Sequence, residues 1–175
     1  DYNTVKTMLK DEAQKAGLYE TIGAAIDDSY IEELKTQVRH PEIIKEVQKD
    51  ITIVYTPLHG TGNIPARRVL KELGFENVFV VPEQELPDGE FPTVSYPNPE
   101  AEEAFALALK LAKEKDADLV LATDPDADRL GVYVKDAKSG EYITLTGNMS
   151  GCLLAEYEIS QIKELKGLPA DGALI

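Results

Sequence analysis

Apolar positions along the chain alternate between two periods. Ile51 to Tyr55 (ITIVY), Asn77 to Val81 (NVFVV), Leu119 to Ala122 (LVLA), Leu130 to Val134 (LGVYV) and Tyr142 to Leu145 (YITL) are short runs rich in branched aliphatics and aromatics, and they read as strands. Helical segments fill the spaces between and around them. Thr4 to Ala16 has helical composition and ends at Gly17. Ser29 and Glu32 have capping-box spacing for a helix through about Val38, and Pro41 opens another to Lys49. An amphipathic helix follows the loop after the first strand and stops at Gly74. Glu100 to Lys115 carries acids in its first turn and lysines in its last, in keeping with the helix dipole. The last helix runs from about Asn148 to Lys166, apolar at Met149, Cys152, Leu153, Tyr157 and Ile162. The pattern predicts a three-layer α/β/α domain around an open mixed sheet, mostly parallel, with an antiparallel edge hairpin turning through Lys135–Glu141.

One stretch breaks the alternation. Between Pro82 and Pro99 the chain has five prolines and no periodicity, and irregular loops of this length in a compact domain are often functional. The simpler reading is a stiff surface connection over the sheet edge. Overall, 175 residues with 43% hydrophobic and 29% charged content suit one globular domain. The formal charge of −14 argues against nucleic acid and anionic membranes as partners. No apolar run approaches the ~20 residues of a membrane span. A single cysteine, Cys152, excludes an internal disulfide, fits a reducing cytoplasm and reads as a buried thiol.

The chemistry concentrates in Asp124-Pro125-Asp126-Ala127-Asp128-Arg129, between two of the strands. Pro125 stiffens the loop, and alternating carboxylates in an extended segment project to one side. Three converging carboxylates repel one another unless a cation sits among them, and oxygen-only donors suit magnesium, calcium or manganese. Arg129 adds a fixed cation suited to a phosphoryl group. The loop is not an EF-hand: glycine and glutamate are wanted where Arg129 and Lys135 stand. It could imitate a haloacid-dehalogenase-type phosphatase with Asp124 as nucleophile, or serve a non-catalytic cation-binding module. Earlier in the chain, Gly60 and Gly62 lie in a strand-to-helix loop that could hold an anion on backbone amides, but their spacing matches neither nucleotide motif. His59 reads equally as a loop brace and as a catalytic group. Arg67 and Arg68 read as solvated or ion-paired, and His40 as a surface residue without a role.

The stretch TDPDADRLGV closely resembles the metal-binding loop of the α-D-phosphohexomutases, the phosphoglucomutase and phosphomannomutase family. TPLHGTG (Thr56–Gly62) and FPTVSYPNPE (Phe91–Glu100) extend the resemblance, in that family's order, over roughly Asp27 to Leu154. The resemblance implies that Asp124, Asp126 and Asp128 ligate Mg2+, together with one oxygen of a phosphoserine. It also implies that Asp128 and Arg129 lie beside the sugar phosphate and that His59 is near the active site. The implied reaction interconverts hexose 1-phosphate and hexose 6-phosphate through a phosphoserine enzyme and a sugar bisphosphate.

The departures are equally informative. No Ser-His-Asn-Pro-type nucleophile loop, no Gly-Glu-x-Ser-Gly-type sugar loop and no final phosphate loop occur in this sequence. The expectation is therefore the second of four domains, inactive alone, whose partners are the hexose phosphate and the enzyme's other domains. Residues 1–26 are expected to be a helical lead-in from a preceding domain, 27–167 the metal-binding domain, and 168–175 the start of a following one. The choice of glucose, mannose or glucosamine phosphate lies with a loop not present here.

Overall fold

The computed structural model describes residues 2–173. Its sheet has the order β2-β1-β3-β4-β5, with β1 at Thr52–Thr56, β2 at Asn77–Val80, β3 at Leu119–Thr123, β4 at Leu130–Lys135 and β5 at Tyr142–Leu145. β1 pairs in parallel with β2 and β3, whereas β3 with β4 and β4 with β5 are antiparallel. The expected mixed sheet is present, with its pairings divided evenly between the two kinds.

Helix α4 (Asn63–Glu72) carries the chain from β1 outward to β2, and α5 (Ala106–Lys115) carries it back across β1 to β3. These crossovers leave in opposite directions, so right-handed connections place the two helices on opposite faces. Side-chain alternation agrees. Val54, Val120 and Ala122 form the main core with Phe105, Ala108 and Ala112 on the α5 side. Tyr55, the next residue on β1, presents its hydroxyl to the start of α4, where a Cβ on Gly62 would collide with it. On the α4 side, α2 (Gly23–Lys35) is tied down by Arg68–Asp28 and Lys35–Glu72 ion pairs. Gly131 lets the chain before α5 cross β4 closely, because a Cβ there would strike Pro99 and the Phe105 ring.

Several boundaries differ from expectation. The helix expected over Thr4 to Ala16 is confined to α1 (Lys10–Lys15), with a short 3-10 turn at Tyr2–Thr4. Ser29 does not cap α2, which starts six residues earlier. Its hydroxyl bonds back to the Ala25 carbonyl at 2.9 Å, the alternative that a mid-helix serine uses. The segment from Glu100 becomes helical only at a 3-10 turn, Glu102–Phe105. His40, at the start of α3 (Pro41–Val47), is half-buried and bonded to Gln161 and Glu42 rather than idle.

Helix α6 (Gly147–Leu165), capped by Thr146, contains no buried residue, so Cys152 is exposed rather than a core thiol. Periodicity predicts an apolar face here, but helical spacing alone does not establish that a neighbour covers it. The strand-like reading of 168–175 is not realised through residue 173, and its end lies outside the described residues.

Candidate metal centre

The aspartate loop leaves β3 where Asp124, only 8% exposed, still belongs to the interior. The Ala127 amide donates to the Asp124 carbonyl at 3.0 Å, closing a turn, and Ala127 takes the left-handed conformation at φ 59°. The Asp124 carboxylate then accepts the Arg129 amide at 2.9 Å through Oδ1. The carboxylates of Asp124, Asp126 and Asp128 converge, one oxygen of each within 4.8 Å of the others. Convergence was expected from extended alternation; the cause is this turn, which a left-handed alanine hides from sequence reading.

Oxygens opposite one another around a bound ion are about 4.2 Å apart for magnesium and about 4.8 Å for calcium, twice the metal–oxygen distance. The donor set, three carboxylate oxygens gathered within 4.8 Å, is one that suits a hard divalent cation. Two of the three acids are exposed and one is held from beneath, a site open to further ligands. Arg129, 54% exposed, lies 3.8 Å from both Asp124 Oδ2 and Asp128 Oδ1 through Nε. The Asp128 carboxyl is pushed above its ordinary value, first by its hydrogen bond with Asp124 and then by the charges of Asp126 and Asp124, while Arg129 opposes the shift.

The loop after β1 abuts this turn. Thr61 donates its amide (2.8 Å) and its hydroxyl (3.1 Å) to the Pro125 carbonyl. Both loops therefore share the carboxyl edge of the parallel strands, where ligands bind in open α/β sheets. Leu58 and His59 are consecutive left-handed residues at φ 46° and 60°. Such strain persists only where the surroundings over-determine it.

A buried polar chain does so here. The Leu58 amide donates to Thr56 Oγ1, and the Thr56 hydroxyl to Gln84 Oε1 at 2.7 Å. Gln84, 1% exposed, passes its Nε2–H to Thr93 Oγ1 at 3.1 Å. With Gln84 donating, the Thr93 hydroxyl is free to donate to His59 Nε2 at 2.8 Å, and His59 Nδ1–H reaches the Leu86 carbonyl at 3.2 Å. Donors and acceptors balance along the chain when His59 is the neutral Nδ1–H tautomer.

His59 is thus placed beside the aspartate loop's support but with both ring nitrogens engaged by the proline-rich segment. That segment curls back through Gln84 and Thr93, two residues that sequence reading passed over. Their only signal was a polar side chain in a stretch whose prolines fix the backbone. Arg67 and Arg68 lie outside the centre, paired with Glu85 and with Asp28 and Glu72.

Comparison with known proteins converges on one family. Residues 28–140 match the model for phosphoglucomutase/phosphomannomutase, alpha/beta/alpha domain II. A probable phosphomannomutase of Haemophilus influenzae is 41% identical over 149 residues, covering 85% of this chain and 29% of that protein. A phosphoribomutase of Saccharomyces cerevisiae is 41% identical over 141 residues, covering 78% of this chain and 23% of that protein. A crystal structure of a phosphoglucomutase/phosphomannomutase family protein from Burkholderia thailandensis superposes with TM-score 0.55 at 28% identity, over 78% of this chain and 26% of that one. The chain spans less than a third of the length of these relatives, and it belongs to the phosphoglucomutase/phosphomannomutase family through its alpha/beta/alpha domain II.

Proposed function

We propose that this chain carries the magnesium-binding loop of a phosphomutase that interconverts hexose 1-phosphate and hexose 6-phosphate through a phosphoserine and a sugar bisphosphate. The observation that carries the reading is the convergence of Asp124, Asp126 and Asp128 beside Arg129. Family membership displaces the phosphatase reading in which Asp124 is a nucleophile. A cation bound by the three carboxylates withdraws charge from a phosphoryl group. Arg129, half-exposed and in long ion pairs with two of the acids, can turn its guanidinium to that phosphoryl group. Asp128, an exposed carboxylate of the site, borders the sugar. His59 acts by bracing the loop, since its ring is already spoken for.

The nucleophilic serine and the sugar-selecting groups come from the enzyme's other domains, which are this chain's partners. Equal identity to a phosphomannomutase and a phosphoribomutase supports leaving sugar choice, hexose or pentose phosphate, to those domains. Among the described residues no helix is long and apolar enough to cross a membrane. A cytoplasmic location fits an unpaired, exposed cysteine.

Thermal unfolding with and without magnesium tests the metal assignment. With a Kd on the order of 1 mM, 10 mM magnesium stabilises by about 1.4 kcal/mol, or roughly 3–6 °C for this size. The Asp124→Asn/Asp126→Asn/Asp128→Asn variant should lose the shift. Sodium chloride at matched ionic strength controls for screening of the −14 charge. Equal shifts in the two proteins would remove the loop as the site.

A further inference from the structure

We propose that Gly60 and Thr61 are positioning residues for the aspartate loop, forming a saddle that fixes Pro125 and, through it, the spacing of the three carboxylates. The inference rests on the metal-binding reading of that loop. Pro125 lies between two of the three acids, so its carbonyl is the loop's natural anchor point. Thr61 spends two donors on that one oxygen, the amide at 2.8 Å and the hydroxyl at 3.1 Å.

Gly60 supplies the clearance. A Cβ at this position would lie within 3 Å of three main-chain atoms of Pro125, which cannot rotate away as a flexible side chain could. Glycine is required here by contact and not by conformation, because the Gly60 φ is not among the positive ones. Gly62 repeats the device one step on, where a Cβ would meet the Tyr55 and Thr123 hydroxyls and crowd the Ala127 methyl group.

The saddle itself is rigid. Gly60 donates its amide to the Pro57 carbonyl at 2.8 Å, and His59 donates its own to the Gln84 carbonyl at 3.0 Å. These bonds lock the left-handed Leu58–His59 pair, whose strain would otherwise let the turn relax. The consequence concerns affinity. Carboxylates gathered from a mobile loop lose conformational entropy on binding an ion, whereas carboxylates placed in advance lose little.

Manganese as a spin probe tests this directly, with free ion read by electron paramagnetic resonance and folding read separately by thermal melting. Thr61→Val keeps the shape and the amide but loses the hydroxyl, and should weaken Mn2+ binding about 2–10-fold, the worth of one hydrogen bond. Thr61→Ser should restore it. Gly60→Ala should weaken binding by more than Thr61→Val does. Wild-type protein that leaves the Mn2+ signal unchanged overturns the metal reading, and the saddle with it. Wild-type protein that binds, while Gly60→Ala and Thr61→Val bind equally well, overturns the saddle alone. A loss in Thr61→Val that serine does not restore does the same. Should Gly60→Ala not fold, the two Thr61 variants decide the matter, since that side chain is exposed and removing its hydroxyl buries no unpaired group.

Discussion

The loop edge above β1 and β3 and the long helix α6 are held in place by different means. At the loop edge, Thr56, Gln84, Thr93 and His59 answer one another's donors and acceptors inside the protein, and Gly60 and Thr61 grip Pro125. Non-glycine residues with positive φ cluster there, at Leu58, His59, Phe91 and Ala127. Helix α6 has 19 residues and none buried. Its far half meets the body through Arg39 with Glu158 and His40 with Gln161. Strain and interlocked polar groups mark the part of the molecule where geometry has to be exact to a fraction of an ångström for chemistry. A helix joined by a few polar contacts belongs to the low end of local stability.

The largest expected difference is between apolar truncations in the two regions. Phe105, 1% exposed, lies with its ring centroid 4.6 Å from that of Tyr133 in the main core. Phe105→Ala should cost about 3–5 kcal/mol. Leu153, 58% exposed on α6, should cost less than about 0.5 kcal/mol when cut to alanine. Urea denaturation of the two variants measures both. A loss at Leu153 comparable with that at Phe105 would mean that α6 is packed in solution, and the contrast would collapse.

The same contrast explains what could be read from the sequence. Local composition marked all five strands to within a residue or so, because branched aliphatics flanked by glycine and proline leave few alternatives. The aspartates were legible because three acids at alternate positions have few structural uses. What escaped reading depends on partners distant in sequence. Gln84 gains its role only from Thr56 and Thr93, and Thr61 only from Pro125, 64 residues away. Cys152 misled because apolar residues at helical spacing do not by themselves place a neighbour over them. Ser29 misled because the same hydroxyl that caps a helix can bond to a carbonyl four residues back within one.

A smaller effect separates the polar attachment of α6 from the rest. Arg39 donates Nε (2.9 Å) and Nη2 (2.7 Å) to the same Glu158 oxygen, across a pair that is only partly exposed. Arg39→Ala should loosen the helix locally, speeding amide exchange in the second half of α6 up to about fivefold. Exchange in β1 and β3 should not change. Uniform acceleration throughout the protein would show instead that α6 and the sheet open as one unit.

The smallest effect is set by pH at His40. Its Nδ1 lies 2.8 Å from Glu42 Oε1 and its Nε2 2.5 Å from Gln161 Oε1, both of them acceptors. The Gln161 amide is oriented by its own Nε2, which donates to Ser160 Oγ at 3.1 Å. A neutral imidazole has one N–H, so both bonds form together only in the imidazolium. The bond to Gln161, then that to Glu42, raises His40 above its ordinary value near 6.5, with the Glu164 charge adding and partial burial opposing. Glu42 is held below its ordinary value, by its own backbone amide first and by His40 next, and stays ionised throughout this range. The folded state therefore holds the His40 proton more tightly than the unfolded chain does. Its stabilisation is complete below about pH 6.5 and is lost as pH rises through the raised value. Amide exchange in the second half of α6, corrected for the intrinsic chemical rate, should be faster at pH 8.5 than at pH 6, with β1 and β3 less affected. His40→Gln should flatten that dependence. An unchanged slope in the variant would assign the pH response to other groups and leave Arg39 as the main polar tie.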